Sequence, residues 1–190
     1  SSDVCSSDLC ENGAIFSYKK ASGKREALAE LVNEAIDGGH KMLIFSQFTS
    51  MLDLIQKDLE KGGIDFYRID GSTSKKERVR LVNEFNKNDT PVFLISLKAG
   101  GTGLNLVGAD VVIHYDPWWN VAVQNQATDR AHRIGQENVV SVFKLIAKNT
   151  IEEKIAKLQE TKKELADEIL SGEGGSLSSM SREDLLELLG

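Results

Sequence analysis

Lys41-Met-Leu-Ile-Phe-Ser46, KMLIFS, places four consecutive apolar residues between a lysine and a serine. A run this short with no polar alternation is typical of a strand covered on both faces. Its flanks decide the reading. Upstream, Ala27, Leu28, Leu31, Val32, Ala35 and Ile36 keep helical spacing over 24–37, and Gly38-Gly39 ends the run. Downstream, Thr49-Ser50 is the expected cap of a helix carrying Leu52, Ile55 and Leu59, closed by Gly62-Gly63. A doubly covered strand between two amphipathic helices points to α/β layering.

The alternation continues along the chain. DFYRI (65–69) reads as the next strand, and Ser74-Lys-Lys-Glu77 as a capping box opening a helix with Val79, Val82 and Phe85 inward. PVFLIS (91–96), ADVVIHY (109–115) and VVSVFKLI (139–146) supply three further strands. A helix bearing Arg130 and Arg133 lies between the last two. Such alternation implies right-handed crossovers and a mostly parallel sheet with helices on both faces. Function in these sheets gathers at the carboxyl ends of the strands. The chemically interesting residues fall there: Ser46-Gln47, Asp70-Gly71-Ser72, Ser96 to Asn105, and Asp116 to Asn120.

The ends are organised differently. SSDVCSSDL opens the chain with a doubled Ser-Ser-Asp and no periodicity, so residues 1–17 read as a disordered tail or a sequencing scar, and the fold is expected to begin near Tyr18. Residues 149–170 form a charge-rich helix with Ile151, Ile155, Leu158, Leu165 and Ile169 as its stripe. A Gly/Ser-rich flexible linker follows over 171–180. The terminal stretch 181–190, with LLELL, is a short helix that needs a docking surface to be stable.

Composition narrows the functional classes. At 190 residues and 41% hydrophobic, the chain suits one sizeable domain with a real core. No apolar run approaches the ~20 residues that span a bilayer, and the start lacks a secretory pattern, so a soluble intracellular protein is expected. Cys5 and Cys10 are confined to the first ten residues, which fits a reducing compartment. His40, His114 and His132 share no ligand spacing, and no metal site is expected. Residues 41–148 carry 14 Lys and Arg against 12 Asp and Glu, a net of +2, while the rest carry 9 against 17, a net of −8. The mildly basic middle permits nucleic-acid contact.

Three stretches carry candidate chemistry. SLKAGGTGLNL (96–106) holds Gly100, Gly101 and Gly103, whose backbone amides can approach a ligand closely, or which simply make a turn. QNQATDRAHRIGQ (124–136) sets Arg130 and Arg133 one helical turn apart on one face. Each guanidinium is a permanent fork matched to phosphate oxygens, although two solvated surface charges would look the same. DPWWN (116–120) puts two tryptophans past a strand end, as core or as a stacking surface beside a basic groove. The chain has no G-x-x-x-x-G-K-[ST] phosphate loop to accompany its arginines.

Taken in order, these motifs resemble the second RecA-like lobe of superfamily-two helicase-type motors, specifically the Swi/Snf group of DNA translocases. KMLIFSQFTSMLDLI resembles that group's motif four, and YRIDGSTSKKERVRLVNEFN the segment after it. VFLISLKAGGTGLNLVGADVVIHYDPWWN resembles motif five, and QNQATDRAHRIGQ motif six. The likeness runs from about Ser22 to Leu170. The group usually writes Trp-Asn-Pro where this chain has Trp119-Asn120-Val121, a departure that leaves the arginines untouched.

The resemblance implies a RecA-like three-layer sandwich, with the lobe over 18–148 and a brace helix over 149–170. It implies ATP held between two lobes, the absent first lobe supplying the phosphate loop and the carboxylates for Mg2+. On this reading the chain is half a motor. Arg133 is the expected arginine finger and Arg130 a second phosphate contact; Gln126, Gly101, Gly103 and Asn105 are expected at the nucleotide. Ser46, Gln47, Gly71, Ser72, Ser96, Lys98 and Trp119 are the expected contacts to the backbone of double-stranded DNA. Expected partners are that DNA, the N-terminal lobe of the parent chain, and a nucleoprotein or polymerase substrate, without a membrane. The location is then nucleoid or cytoplasm in a bacterium, and nucleus in a eukaryote. The rival readings are a complete Rossmann-like nucleotide-binding enzyme and a non-catalytic interaction module of RecA-like fold.

Overall fold

A computed structural model of the chain describes residues 22–100, 104–117 and 140–171. In order, the elements are α1 (Gly23–Asp37), β1 (Met42–Ser46), α2 (Thr49–Lys61), β2 (Phe66–Ile69), α3 (Lys75–Lys87), β3 (Val92–Ser96), a single turn α4 (Leu97–Gly100), β4 (Val111–His114), β5 (Ser141–Lys144) and α5 (Ile151–Ser171). The strands form one sheet in the order β2-β3-β1-β4-β5. All four pairings are parallel.

The continuous apolar runs explain the layering. β1, β3 and β4 are buried along their whole length. Alternate side chains leave a strand on opposite faces. Met42, Ile44, Val92, Leu94, Val111 and Ile113 therefore meet Leu28 and Val32 of α1 and Met51, Leu52, Ile55 and Leu59 of α2. Leu43, Phe45, Phe93, Ile95 and Val112 meet Leu81, Val82 and Phe85 of α3 on the other face. This is the three-layer arrangement expected from KMLIFS and its neighbours. β5 differs: it lies at the sheet's end and all four of its residues are exposed.

Helix ends follow local chemistry. Ser22 caps α1 by accepting from the Arg25 amide, and Ser74 caps α3 by accepting from the Glu77 amide. Gly39 and Gly63, just past α1 and α2, take φ of 72° and 66°, the left-handed region where a Cβ is costly. The expected cap at Thr49-Ser50 is corrected. The N-cap of α2 is Phe48 with no side-chain cap bond, and Thr49 already lies within the helix. The Phe48 carbonyl accepts the first helical bond from the Leu52 amide at 3.2 Å, and the Ser46 hydroxyl separately takes the Phe48 amide at 3.1 Å.

Val79 is a second correction: expected inward, it is 55% exposed. A helix turns by about 100° per residue. Once Leu81, Val82 and Phe85 face the sheet, Val79 is left at the margin of that face, beside Thr73, Lys75, Arg78 and Leu104. The one-turn helix α4 was not expected from the sequence. The terminal segments 1–17 and 172–190, and the expected helix bearing Arg130 and Arg133, lie outside the described residues.

The amino edge of the sheet is held by charge. The Lys41 amine donates to the Phe85 and Asn88 carbonyls, where a cation suits the end of α3. Asp110 accepts from the Lys41 amide at 3.1 Å and meets His40 at 2.7 Å. The aromatic centre is Phe85, 5.0 Å from Phe93 and 6.5 Å from Tyr67 between ring centroids. Replacing Phe85 by Ala is expected to cost about 3–5 kcal/mol. Urea unfolding followed by circular dichroism checks this, the midpoint falling with little change of slope.

Candidate functional site at the carboxyl rim of the sheet

Parallel register lines up the strand ends. Ser46 is the Cα partner of Ser96, Ile69 of Ile95, and Phe45 of both Ile95 and His114. Ser46-Gln47, Asp70-Gly71-Ser72, Ser96 and Tyr115-Asp116 therefore share one rim. Two polar clusters shape it.

The first is centred on Asp116, 5% exposed. Its carboxylate accepts from the Ser46 hydroxyl and, at 3.2 Å, from the Gln47 amide. Burial pushes the Asp116 pKa up, opposed by the Ser46 hydrogen bond, the charge of Lys24 and the Gln47 amide. Ser46 and Ser96 are themselves buried, so the Ser46 hydroxyl is engaged inside the fold rather than displayed. Gln47 is half-buried beside it.

The second cluster is a turn built by Asp70. Its carboxylate accepts from the Ser72 amide at 2.9 Å and from the Ser72 hydroxyl, with Arg68 Nε at 3.2 Å. These bonds, the Ser72 hydroxyl first, hold the Asp70 pKa below the usual carboxylate range. Arg78 fastens the same turn from α3, donating to the Thr73 carbonyl at 2.9 Å and the Asp70 carbonyl at 3.0 Å. Gly71 and Ser72 stand exposed at its tip. Sequence reading missed Arg78 as a site-shaping residue. A signal existed, because Lys75, Lys76 and Arg78 crowd the start of α3, where the helix dipole favours acidic residues.

Asn105 is exposed, and its carbonyl accepts from the Asn86 side chain at 2.8 Å near the far end of α3. Asn86 also takes the Gly108 amide at 3.0 Å, where a Cβ on residue 108 would meet Asn86 at 3.0–3.1 Å. No local spacing in the sequence signals that amide clamp, whose partners lie 19 and 22 residues from Asn86. Lys98 lies on α4, beside the rim in sequence. Gly101, Gly103, Trp119, Gln126, Arg130 and Arg133 lie outside the described residues. Among the described residues, no group of three or more His, Cys, Asp or Glu is arranged to hold a metal ion. Among them, too, no helix is long and apolar enough to cross a membrane.

Residues 23–135 match the model of the helicase conserved C-terminal domain. The chain belongs to that family. It is 47% identical over 188 residues to the putative ATP-dependent helicase/translocase YwqA of Bacillus subtilis, covering 95% of this chain and 20% of that protein. It is 42% identical over 169 residues to the chromatin-remodeling ATPase INO80 of Homo sapiens, covering 88% of this chain and 11% of that protein. Among solved structures it superposes on the C-terminal part of the Fun30 ATPase domain with a TM-score of 0.70 at 40% identity. That match covers 78% of this chain and 52% of the other. The Swi/Snf-type, RecA-like C-terminal helicase lobe implied by the motif order is thus the family and fold of this chain. It spans a fifth or less of the length of these curated relatives.

Beneath the rim, His114 is buried and stacked on Phe45 with ring centroids 5.5 Å apart. Burial, and secondarily the charge of Lys144, push its pKa down from 6.5 to about 4. Between those values the unfolded chain binds a proton that the folded chain refuses, so His114 contributes stability above pH 6.5 that is lost as pH falls towards 4. The loss reaches at most about 3 kcal/mol. Stability measured by urea unfolding from pH 7 to pH 4 is expected to fall less steeply in His114→Phe than in the parent chain. Equal slopes would remove His114 from the account.

Proposed function

We propose that the chain is the second motor lobe of an ATP-dependent translocase acting on double-stranded DNA. The observation that carries this reading is the parallel sheet of a helicase C-terminal lobe, which brings the Gln47 and Asp70–Ser72 turns onto one edge. ATP is shared with a first lobe that supplies the phosphate cradle and the carboxylates for Mg2+. When bound there, the magnesium ion neutralises charge on the phosphates. This chain's own part is to present Arg133 as the finger and Arg130 as a second phosphate contact. Gln126, Gly101, Gly103 and Asn105 border the nucleotide.

DNA-backbone contact falls to the exposed turn residues Gly71 and Ser72, with Gln47, Lys98 and Trp119. Ser46 and Ser96 are buried at the ends of β1 and β3, and serve there by fixing the strand ends. Contacts of this type position a strand without reading its sequence. Closure of the two lobes around ATP, and their reopening, shifts this lobe's grip along the duplex. The names of the relatives support the reading, one being a putative helicase/translocase and another a chromatin-remodeling ATPase.

The test joins the chain to a matching first lobe and measures DNA-stimulated ATP hydrolysis. Arg133→Ala is expected to lower the rate by about 10³–10⁵ while far-ultraviolet circular dichroism stays unchanged. Hydrolysis at the parental rate in that variant would refute the finger assignment.

A further inference from the structure

An ion pair between residues 128 positions apart joins the two ends of the described fold. Lys24, in the first turn of α1, is 5% exposed, and the Glu152 side chain, in the first turn of α5, is 13% exposed. The lysine amine donates to both Glu152 carboxylate oxygens, at 2.9 and 3.0 Å. The same carboxylate accepts from the Ala147 amide at 3.0 Å, closing the turn that enters α5. On its other side the Lys24 amine lies 4.6 Å from the centre of the Tyr115 ring. Tyr115 is followed by Asp116, which holds the Ser46 hydroxyl and the Gln47 amide. The Lys24 charge also acts on the Asp116 carboxylate, so one ammonium is linked to the carboxylate that anchors α5 and to the carboxylate that shapes the rim.

Burying such a pair is a poor way to gain stability. Desolvation cancels much of the attraction, and apolar residues of similar volume often do as well or better. What an ion pair can add is a specified geometry, here the meeting of the α5 carboxylate with the amine of α1. Ile155, one turn further along, is buried behind it.

We propose that Lys24 and Glu152 are positioning residues that couple the docking of α5 to the conformation of the rim at Gln47 and Asp116. With Glu152 in place, its charge holds the amine against the Tyr115 ring. When α5 lifts away, the amine loses its main partner and moves, and the Asp116 cluster that orients the Gln47 backbone loosens. The inference goes beyond the motor reading and does not need it.

Hydrogen–deuterium exchange of the full chain, without nucleotide or DNA, tests it. Glu152→Gln is decisive because the Glu152 side chain bonds Lys24 and Ala147, away from the rim amides. Exchange is expected to rise on the order of tenfold in residues 147–156 and also at Gln47 and Phe48. β1 and β3 are expected to stay protected. Lys24→Met is expected to loosen the same two regions, with the larger change at Gln47. If Lys24→Met fails to fold, Glu152→Gln still decides. Faster exchange in residues 147–156 alone would reduce the pair to a strap and overturn the proposal. A uniform rise across the sheet, or no rise anywhere, would overturn it equally. None of these outcomes depends on ATP hydrolysis, so failure of the motor assignment would leave the result readable.

Discussion

Everything in this fold depends on β1 being paired in parallel on both sides. Met42–Ser46 bonds to β3 along one edge and β4 along the other, and all five of its residues are buried. A parallel strand cannot turn straight back into its neighbour, so each connection crosses a face of the sheet, usually through a helix. Both faces are thereby covered, and the loops that follow the strands collect at a single rim. The two edges then divide the work. At the amino edge, Lys41 and Asp110 are committed to backbone carbonyls and amides that hold the sheet together. At the carboxyl edge, the Asp70 and Asp116 carboxylates are committed to shaping loops, leaving Gly71 and Ser72 outward.

How much of this was legible depended on the range of the interaction concerned. Apolar runs such as KMLIFS and VFLIS report burial on both faces directly, because every position must satisfy a core. The Ser74 cap needs only a neighbour three residues on, and it was readable. A helical stripe at i, i+3 and i+6 drifts off the face that tertiary packing selects, and Val79 lies beyond that face. Thr49-Ser50 has the residue types of a cap, whereas the Phe48 carbonyl already accepts the Leu52 amide, so the helix begins one residue earlier than residue type suggests. Ser46 and Ser96 were expected at the rim, and they are at the rim, yet buried. Register gives a residue's row but not the packing above it.

The Lys24–Glu152 pair lay beyond any spacing argument, since nothing local links residues 128 apart. The same holds for the Asn86 clamp on Asn105 and Gly108. Motif order, by contrast, was a long-range signal available without coordinates. Its implication of a Swi/Snf-type C-terminal lobe agrees with the family match and with the likeness to the Fun30 ATPase structure.

The central claim is that the rim of parallel strand ends is the working edge of this lobe, completed by a neighbouring lobe. A structure of the chain joined to a matching first lobe, with a non-hydrolysable ATP analogue and duplex DNA bound, tests it most directly. The account predicts Arg130 and Arg133 within hydrogen-bond reach of the terminal phosphate, and Gln47, Gly71 and Ser72 facing DNA phosphates along the same edge. Arginines directed away from the nucleotide, or DNA lying against the amino edge of the sheet, would contradict it.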